Sequence, residues 1–336
     1  MMKNYKKIFL LLIVLLLIGC GNKKEEPISD NNNDKQEEVV EKKLQILDLE
    51  SKTRPIAVMI NNHKSAQPYQ TGLNDAYLVY EMVVEGGITR MLAVFKDKDT
   101  TQIGTVRSSR PYYLDYVQEN DAIYVHFGWS EEAEQAIKDL KINNINGLYD
   151  GPFWRDNSLD VGTEHTVYTS MDKLNSTITS KGYSTTSTKD ILLNYSVDEI
   201  DLSKMDGAIK ADNVKITYSS YQVNDFKYDN VNKVYSKISN GDKRVDYITK
   251  QPFTAKNIIT YKLDTYNITD YGHKEIKNVG SGEGYYISNG VMQKIHWSQK
   301  NESSYLKFYT ESGEDLVINR GKSYIAYCSK GQVSFE

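Results

Sequence analysis

Residues 76–95 read Ala-Tyr-Leu-Val-Tyr-Glu-Met-Val-Val-Glu-Gly-Gly-Ile-Thr-Arg-Met-Leu-Ala-Val-Phe. Two strand-forming runs, Ala76–Val84 and Thr89–Phe95, flank Glu85-Gly86-Gly87, where paired glycines let the backbone reverse, so the segment predicts a β-hairpin. Upstream, Ile56-Ala57-Val58-Met59-Ile60 is the run of a buried strand, closed by the turn-rich Asn61-Asn62-His63. Downstream, Pro111 takes the first position of a helix over Tyr112 to about Gln118, and Ala122–Phe127 returns as a strand. Ser130-Glu131-Glu132 caps a helix reaching about Leu140, with acids at its positive end. His165–Thr169 reads as a short strand, and Ser170 caps a helix closed by Gly182. Strands interleaved with helices predict an α/β domain with a mixed sheet over roughly 52–195.

After Val197 the helical pattern fades. Val214–Tyr218, Ile258–Leu263, Tyr285–Ile287, Val291–Trp297, Tyr305–Tyr309 and Leu316–Ile318 alternate apolar with polar residues and are split by turns such as Asn289-Gly290 and Ser312-Gly313. They predict a smaller all-β domain over about 210–334, and the chain as a whole reads as α+β. No internal repeat of fixed period is visible.

The chain opens with Lys3, Lys6 and Lys7, followed by an apolar run from Ile8 to Ile18 that is short for a bilayer span. That pattern predicts an export signal over 1–19. Leu17-Ile18-Gly19-Cys20 resembles the bacterial lipobox, which implies that Cys20 is diacylated and heads the mature chain. Paired acyl chains hold a protein durably at a membrane, at about 0.8 kcal/mol per buried methylene. Residues 20–51 are mostly Lys, Glu, Asp, Asn and Gln, too polar to fold, and read as a lipidated, disordered tether. The expected address is the extracytoplasmic face of the cell membrane.

The chain has 336 residues, 39% hydrophobic, and a net charge of -4, which loss of the signal lysines makes more acidic still. An acidic protein has no electrostatic reason to bind nucleic acid, and none to lie on anionic lipid heads. The expected membrane contact is therefore the N-terminal lipid. Of two cysteines, Cys20 is consumed by lipidation, which leaves no intramolecular disulfide and no cysteine metal cluster. Cys328, in the strand-like Ser323–Cys328, reads as a small apolar residue in a sheet rather than a nucleophile. No cofactor and no resident metal is expected.

Candidate chemistry starts from arginine. The chain carries seven arginines among 41 basic residues, and five of them (Arg54, Arg90, Arg107, Arg110, Arg155) fall in the first domain. Where lysine supplies generic charge, a retained guanidinium points to a planar, bidentate task. Arg107 and Arg110 end a strand and precede a helix, an anion-binding corner for phosphate or carboxylate. The alternative is internal pairing, with Glu81 and Glu85 as partners. Those two acids, four apart on the expected strand, share a face with Val83 and could also hold a proton or a divalent ion. His63, His126 and His165 sit at strand edges or turns and could converge at one end of the sheet, though none has metal-ligand spacing. Tyrosine, at 26 residues against eight phenylalanines, offers stacking platforms for sugar rings, or else serves half-exposed strands.

Several stretches together resemble the YerB family of Firmicute lipoproteins: Arg54-Pro55, Met59-Ile60-Asn61-Asn62, Gly72-Leu73-Asn74-Asp75-Ala76, Tyr80-Glu81, Glu85-Gly86-Gly87-Ile88-Thr89-Arg90, Val106-Arg107-Ser108-Ser109-Arg110 and His126. Gly284, Asn289-Gly290, Trp297 and Gly321 resemble its C-terminal domain. The resemblance implies a lipid-anchored envelope protein of two domains with no assigned reaction. One departure is Trp129, after Phe127-Gly128, where a small residue is expected. A fainter likeness to LytR-CpsA-Psr enzymes aligns no motif, and nothing is carried over from it.

The expected function is a non-catalytic envelope lipoprotein binding an anionic or glycan ligand, or a protein partner, through Arg107, Arg110, Glu81 and Glu85, with Arg90, His126 and His63 beside them. The alternative is a metal-assisted enzyme acting on a cell-wall glycopolymer or lipid-linked phosphosugar. A third possibility is a scaffold whose β domain docks partners.

Overall fold

The computed structural model of the protein describes residues 47–301, 305–328 and 333–336. The signal, Cys20 and the tether up to residue 46 lie outside the described residues. Among the described residues no helix is long and apolar enough to cross a membrane. The ordered chain starts earlier than residue 52, because Leu47 is buried in the hydrophobic core.

In the first half, β1 (Ile56–Asn61), β2 (Leu78–Val83), β3 (Thr89–Phe95), β4 (Ile103–Gly104), β5 (Ile123–His126), β6 (Asn144–Asn146), β7 (Phe153–Arg155) and β8 (Val167–Thr169) alternate with α1 (Leu114–Glu119), α2 (Glu131–Asp139) and α3 (Met171–Ser180). The second half holds β9 (Ile209–Lys210), β10 (Asn213–Thr217), β11 (Val223–Asp229), β12 (Val234–Ser239), β13 (Asp242–Lys243), β14 (Thr254–Ala255) and β15 (Asn257–Lys262). It continues with β16 (Thr265–Asn267), β17 (Lys274–Ile276), β18 (Gly280–Ser288), β19 (Val291–Gln299), β20 (Lys307–Thr310), β21 (Ser323–Cys328) and β22 (Val333–Phe335). Leu316–Ile318 forms no strand of its own and makes a single bridge, Ile318 to Tyr195.

Local chemistry places these elements where the residues put them. β2 and β3 pair antiparallel with Val83 opposite Thr89, and Gly86 and Gly87 take the positive φ of 64° and 74° that their turn requires. The Ser130 hydroxyl accepts from the Ala133 N–H and the Ser170 hydroxyl from the Lys173 N–H, capping α2 and α3. Gly182, at φ 66°, ends α3.

The protein is an α+β chain with a mixed sheet in its N-terminal region and antiparallel pairings dominating the C-terminal region. The two regions are fused. Among the described residues, the main sheet runs β20-β19-β18-β15-β21-β2-β3-β1-β5-β6, with β9 beside β19. β21 lies parallel to β2, setting Leu78 opposite Ser323 and Glu81 opposite Ala326. The expected all-β domain is thus divided: β15 and β18–β21 extend the main sheet, while β10–β14 and β22 form a separate sheet. The cause lies in β2, whose Leu78, Val79 and Tyr80 are all buried and whose open edge would otherwise expose an apolar ladder.

Both faces of the main sheet are covered, so its central strands carry apolar residues at successive positions. Ala57, Met59, Tyr80 and Leu92 pack on one face with Tyr113 and Tyr116. Val58, Ile60, Val79 and Met91 pack on the other with Leu174 of α3 and Phe226 of β11. Many tyrosines belong to these interiors, Tyr80, Tyr116, Tyr261 and Tyr327 being buried and in ring contact at 4.7–5.0 Å, while Tyr228, Tyr285 and Tyr309 sit half-buried on strands as expected.

Because β21 closes the edge of β2, residues 52–210 expressed alone will lack a cooperative thermal transition, while the whole chain will melt in one step. A stable, cooperatively melting fragment in calorimetry would contradict the shared sheet.

Candidate functional site

Glu81 is the most enclosed charge near the expected corner, with no solvent exposure. On β2 its side chain points, like that of Val79, to the face covered by the small sheet. Oε1 accepts from Asn62 Nδ2 at 2.9 Å and Thr89 Oγ1 at 2.5 Å. Oε2 accepts from Asn224 Nδ2 at 2.7 Å, from Lys237 Nζ at 2.9 Å and from the Tyr324 hydroxyl. Burial pushes the Lys237 ammonium down, opposed by the Glu81 charge. The expectation that Glu81 pairs with the corner arginines, holds a metal or relays a proton is corrected. Five donors saturate its lone pairs, and the acid bolts the small sheet to the large one.

Glu85 does not share a strand face with Glu81, because it lies past the end of β2 in the turn Glu85–Gly87. It meets Arg110 in a bidentate pair, Nε to Oε1 at 2.6 Å and Nη2 to Oε2 at 2.9 Å. Arg90 joins from β3, with Nη2 3.9 Å from Glu85 Oε2 and Nη1 donating to the Ser108 carbonyl at 2.5 Å. Burial pushes the Glu85 carboxyl up, and the hydrogen bonds and charge of Arg110 with the charge of Arg90 overcome it, holding it below its ordinary value. Burial, with Arg110 nearby, lowers Arg90 to about 10. Arg110 precedes a short turn, Pro111–Tyr113, running into the six-residue α1. The triad of Glu85, Arg90 and Arg110 is satisfied internally, so internal pairing holds for Arg110, with Glu85 as its acid.

His126 is likewise withdrawn. It is fully buried at the end of β5, with Nδ1 2.8 Å from the Gly128 carbonyl, Nε2 3.3 Å from Asn144 Oδ1, and Tyr124 and Trp129 against its ring. Burial lowers its pKa to about 4. The glycine turn beside it survives Trp129: Gly128 keeps φ 83°, where a Cβ would come 3.1 Å from Ser108 Oγ.

Arg107 behaves differently. Its backbone is clamped, N–H to the Met59 carbonyl at 2.9 Å and carbonyl to the Phe127 N–H at 3.0 Å. Its half-buried side chain has no hydrogen-bond or ion-pair partner among the described residues. Burial lowers its pKa, opposed by the charge of Glu164 and assisted by Arg110 and Arg155. Arg155 lies with its guanidinium carbon 4.9 Å from the Phe127 ring centre and donates to the Thr163 carbonyl. His63 and His165 stack nearby, ring centres 4.7 Å apart and 6° from parallel, with His165 Nε2 3.7 Å from Glu164 Oε1. The Glu164 carboxyl is held low chiefly by its own backbone N–H, with the Arg107 charge assisting.

The structure therefore brings Arg107 and His63 together with His165, Arg155 and Glu164, sets Arg90, Arg110 and Glu85 beside them as a closed group, and removes Glu81 and His126. Four guanidinium groups face two carboxylates here, a local excess of positive charge on an acidic chain. Glu164 went unnoticed in the sequence; its one signal is adjacency to His165 after Gly162. Among the described residues no three histidine, cysteine or carboxylate side chains are grouped to hold a metal ion.

These features define a class, a two-domain α+β protein with a fused sheet and a cationic corner at the ends of its central strands. Residues 44–184 match the N-terminal domain and residues 214–325 the C-terminal domain of DUF3048, described as a protein of unknown function. The chain belongs to the DUF3048 family. It is 31% identical over 256 residues to the protein named "Putative lipoprotein YerB" of Bacillus subtilis (strain 168), covering 75% of each chain. The crystal structure of the YerB protein from Bacillus subtilis superimposes with a TM-score of 0.75 at 28% identity, over 87% of this chain and 98% of that one. The family resemblance carried by the Glu85–Arg90 and Val106–Arg110 motifs thus stands.

Two predictions follow from the buried charges. Removing one partner of a buried pair strands the other, so Glu81→Gln will destabilise the protein by about 3–5 kcal/mol in urea unfolding, and Glu81→Gln combined with Lys237→Met will recover part of that loss. Full additivity would show the pair to be uncoupled. His126 has a folded pKa depressed below the unfolded value, so its contribution is complete above pH 6.5 and is lost as pH falls toward 4. The stability advantage of the native protein over His126→Asn will shrink by roughly 3 kcal/mol between pH 7 and pH 4.

Proposed function

We propose that this protein is an extracytoplasmic lipoprotein, carried on the membrane by acyl chains on Cys20, that binds an anionic envelope ligand at Arg107. One observation carries the ligand reading. Arg54, Arg90, Arg110 and Arg155 each donate to a carboxylate, amide or carbonyl oxygen, whereas Arg107 is half-buried with no such partner among the described residues. A desolvated guanidinium without an acceptor gains most from an anion supplied from outside. The lipid reading is supported by Leu17-Ile18-Gly19-Cys20 and by the printed name of the Bacillus subtilis relative. The metal-assisted alternative loses its carboxylates, since Glu81 and Glu85 are both committed within the fold.

Arg107→Gln will abolish co-sedimentation with purified anionic cell-wall polymer while shifting stability by less than about 0.5 kcal/mol, because no internal bond is lost. Retained binding would remove the reading. Cys20→Ala will block incorporation of labelled palmitate and move the protein from the membrane pellet to the soluble fraction.

A further inference from the structure

Building on that reading of Arg107, the geometry points to a phosphate-ester site in which His63 and His165 are fixed as neutral Nε2–H donors beside the guanidinium. The protonation pattern follows from hydrogen-bond partners. Asn61 Oδ1 accepts the His63 N–H at 3.1 Å, which turns Asn61 Nδ2 toward the Glu164 carbonyl at 3.3 Å and His165 Nδ1 at 2.9 Å. An amide nitrogen only donates, so Nδ1 of His165 accepts and carries no proton. The Ser65 N–H, 3.2 Å from His63 Nδ1, imposes the same assignment on the second ring. Each imidazole is left with its proton on Nε2.

Both rings and Arg107 lie around Glu164: His165 Nε2 is 3.7 Å from its Oε1, His63 stacks on His165, and the Arg107 charge is felt at the same carboxylate. Glu164 is a half-exposed acid folded back over Gly162, whose Cα leaves no room for a Cβ beside its Oε2 (2.6 Å). It stands where an external anion would sit, and a ligand displaces it. The donor set selects the class of that ligand. Parallel rings 4.7 Å apart present Nε2–H groups on two levels, and Arg107 supplies a guanidinium whose charge reaches His165. A tetrahedral phosphoryl group has three oxygens to meet them, whereas a planar carboxylate has two in one plane.

The test is calorimetric titration of the detergent-solubilised full chain with glycerol 3-phosphate, and with acetate as the planar control. Glycerol 3-phosphate should bind more tightly than acetate. Arg107→Gln should abolish binding, and His63→Phe should weaken it about tenfold, the loss expected for one hydrogen bond to an anion. His63→Gln, whose amide restores a donor near Nε2, should recover most of the affinity, and Glu164→Gln should tighten binding severalfold. Nitrogen NMR of the native protein should show an unprotonated Nδ1 in both rings. A protonated Nδ1, or loss of binding in Arg107→Gln with none in His63→Phe, would overturn this inference and leave the anion reading of Arg107 standing. Acetate binding as tightly as the phosphate ester would overturn the phosphate class. Binding of neither probe would overturn both.

Discussion

The carboxylate of Glu81 cannot be left alone, and much of the architecture follows from that requirement. An ionised carboxylate taken wholly out of water costs several kcal/mol unless donors replace its hydration. Those donors come from the loop after β1 (Asn62), from β3 (Thr89), from β11 (Asn224), from β12 (Lys237) and from β21 (Tyr324). Four of them lie on elements brought together only by the completed fold. The acid thereby fixes β21 along β2 and holds the small sheet over one face of the large one.

The same requirement orders the segment that carries the cationic corner. Asn62, bound to Glu81, also receives Gln70 Nε2 at 3.1 Å, and Gln67 reaches across to Gln222 at 3.1 Å. Asp246 of the second half accepts from the Thr71 hydroxyl at 2.8 Å and the Gly72 N–H at 2.7 Å. Residues 61–72 are thus pinned to residues from both halves, and His63 is placed against His165 by backbone that has little freedom to move. A pre-ordered donor set binds without first losing conformational entropy.

At the corner itself, acceptors decide which arginine is available. Glu85 has two oxygens and spends both on Arg110, with Arg90 at its margin, so Arg107 has no hydrogen-bond or ion-pair partner among the described residues. Its position is nonetheless rigid, because its main chain is bonded on both sides to β1 and to Phe127. A fixed cation in a partly desolvated setting produces a stronger field than the same charge on an exposed lysine.

The sequence by itself determined what depends on neighbouring residues. The hairpin at Gly86-Gly87, the Ser130 and Ser170 caps, the Gly182 stop and the buried run of β1 were legible because backbone conformation and burial period are encoded within a few positions. The arginine-rich corner was legible as a place, and His63 and His165 as possible neighbours. Which acid meets which base was not: Glu81 pairs with Lys237, Glu85 with Arg110, and Arg107 with neither. Nor could the sequence tell that β21 would join β2 and merge two domains into one sheet, or that Tyr80, Tyr116, Tyr261 and Tyr327 would cluster in its interior. Only the tertiary structure decided these, because ion pairs and tautomers act over a few ångströms, and such distances between remote segments are set by strand register.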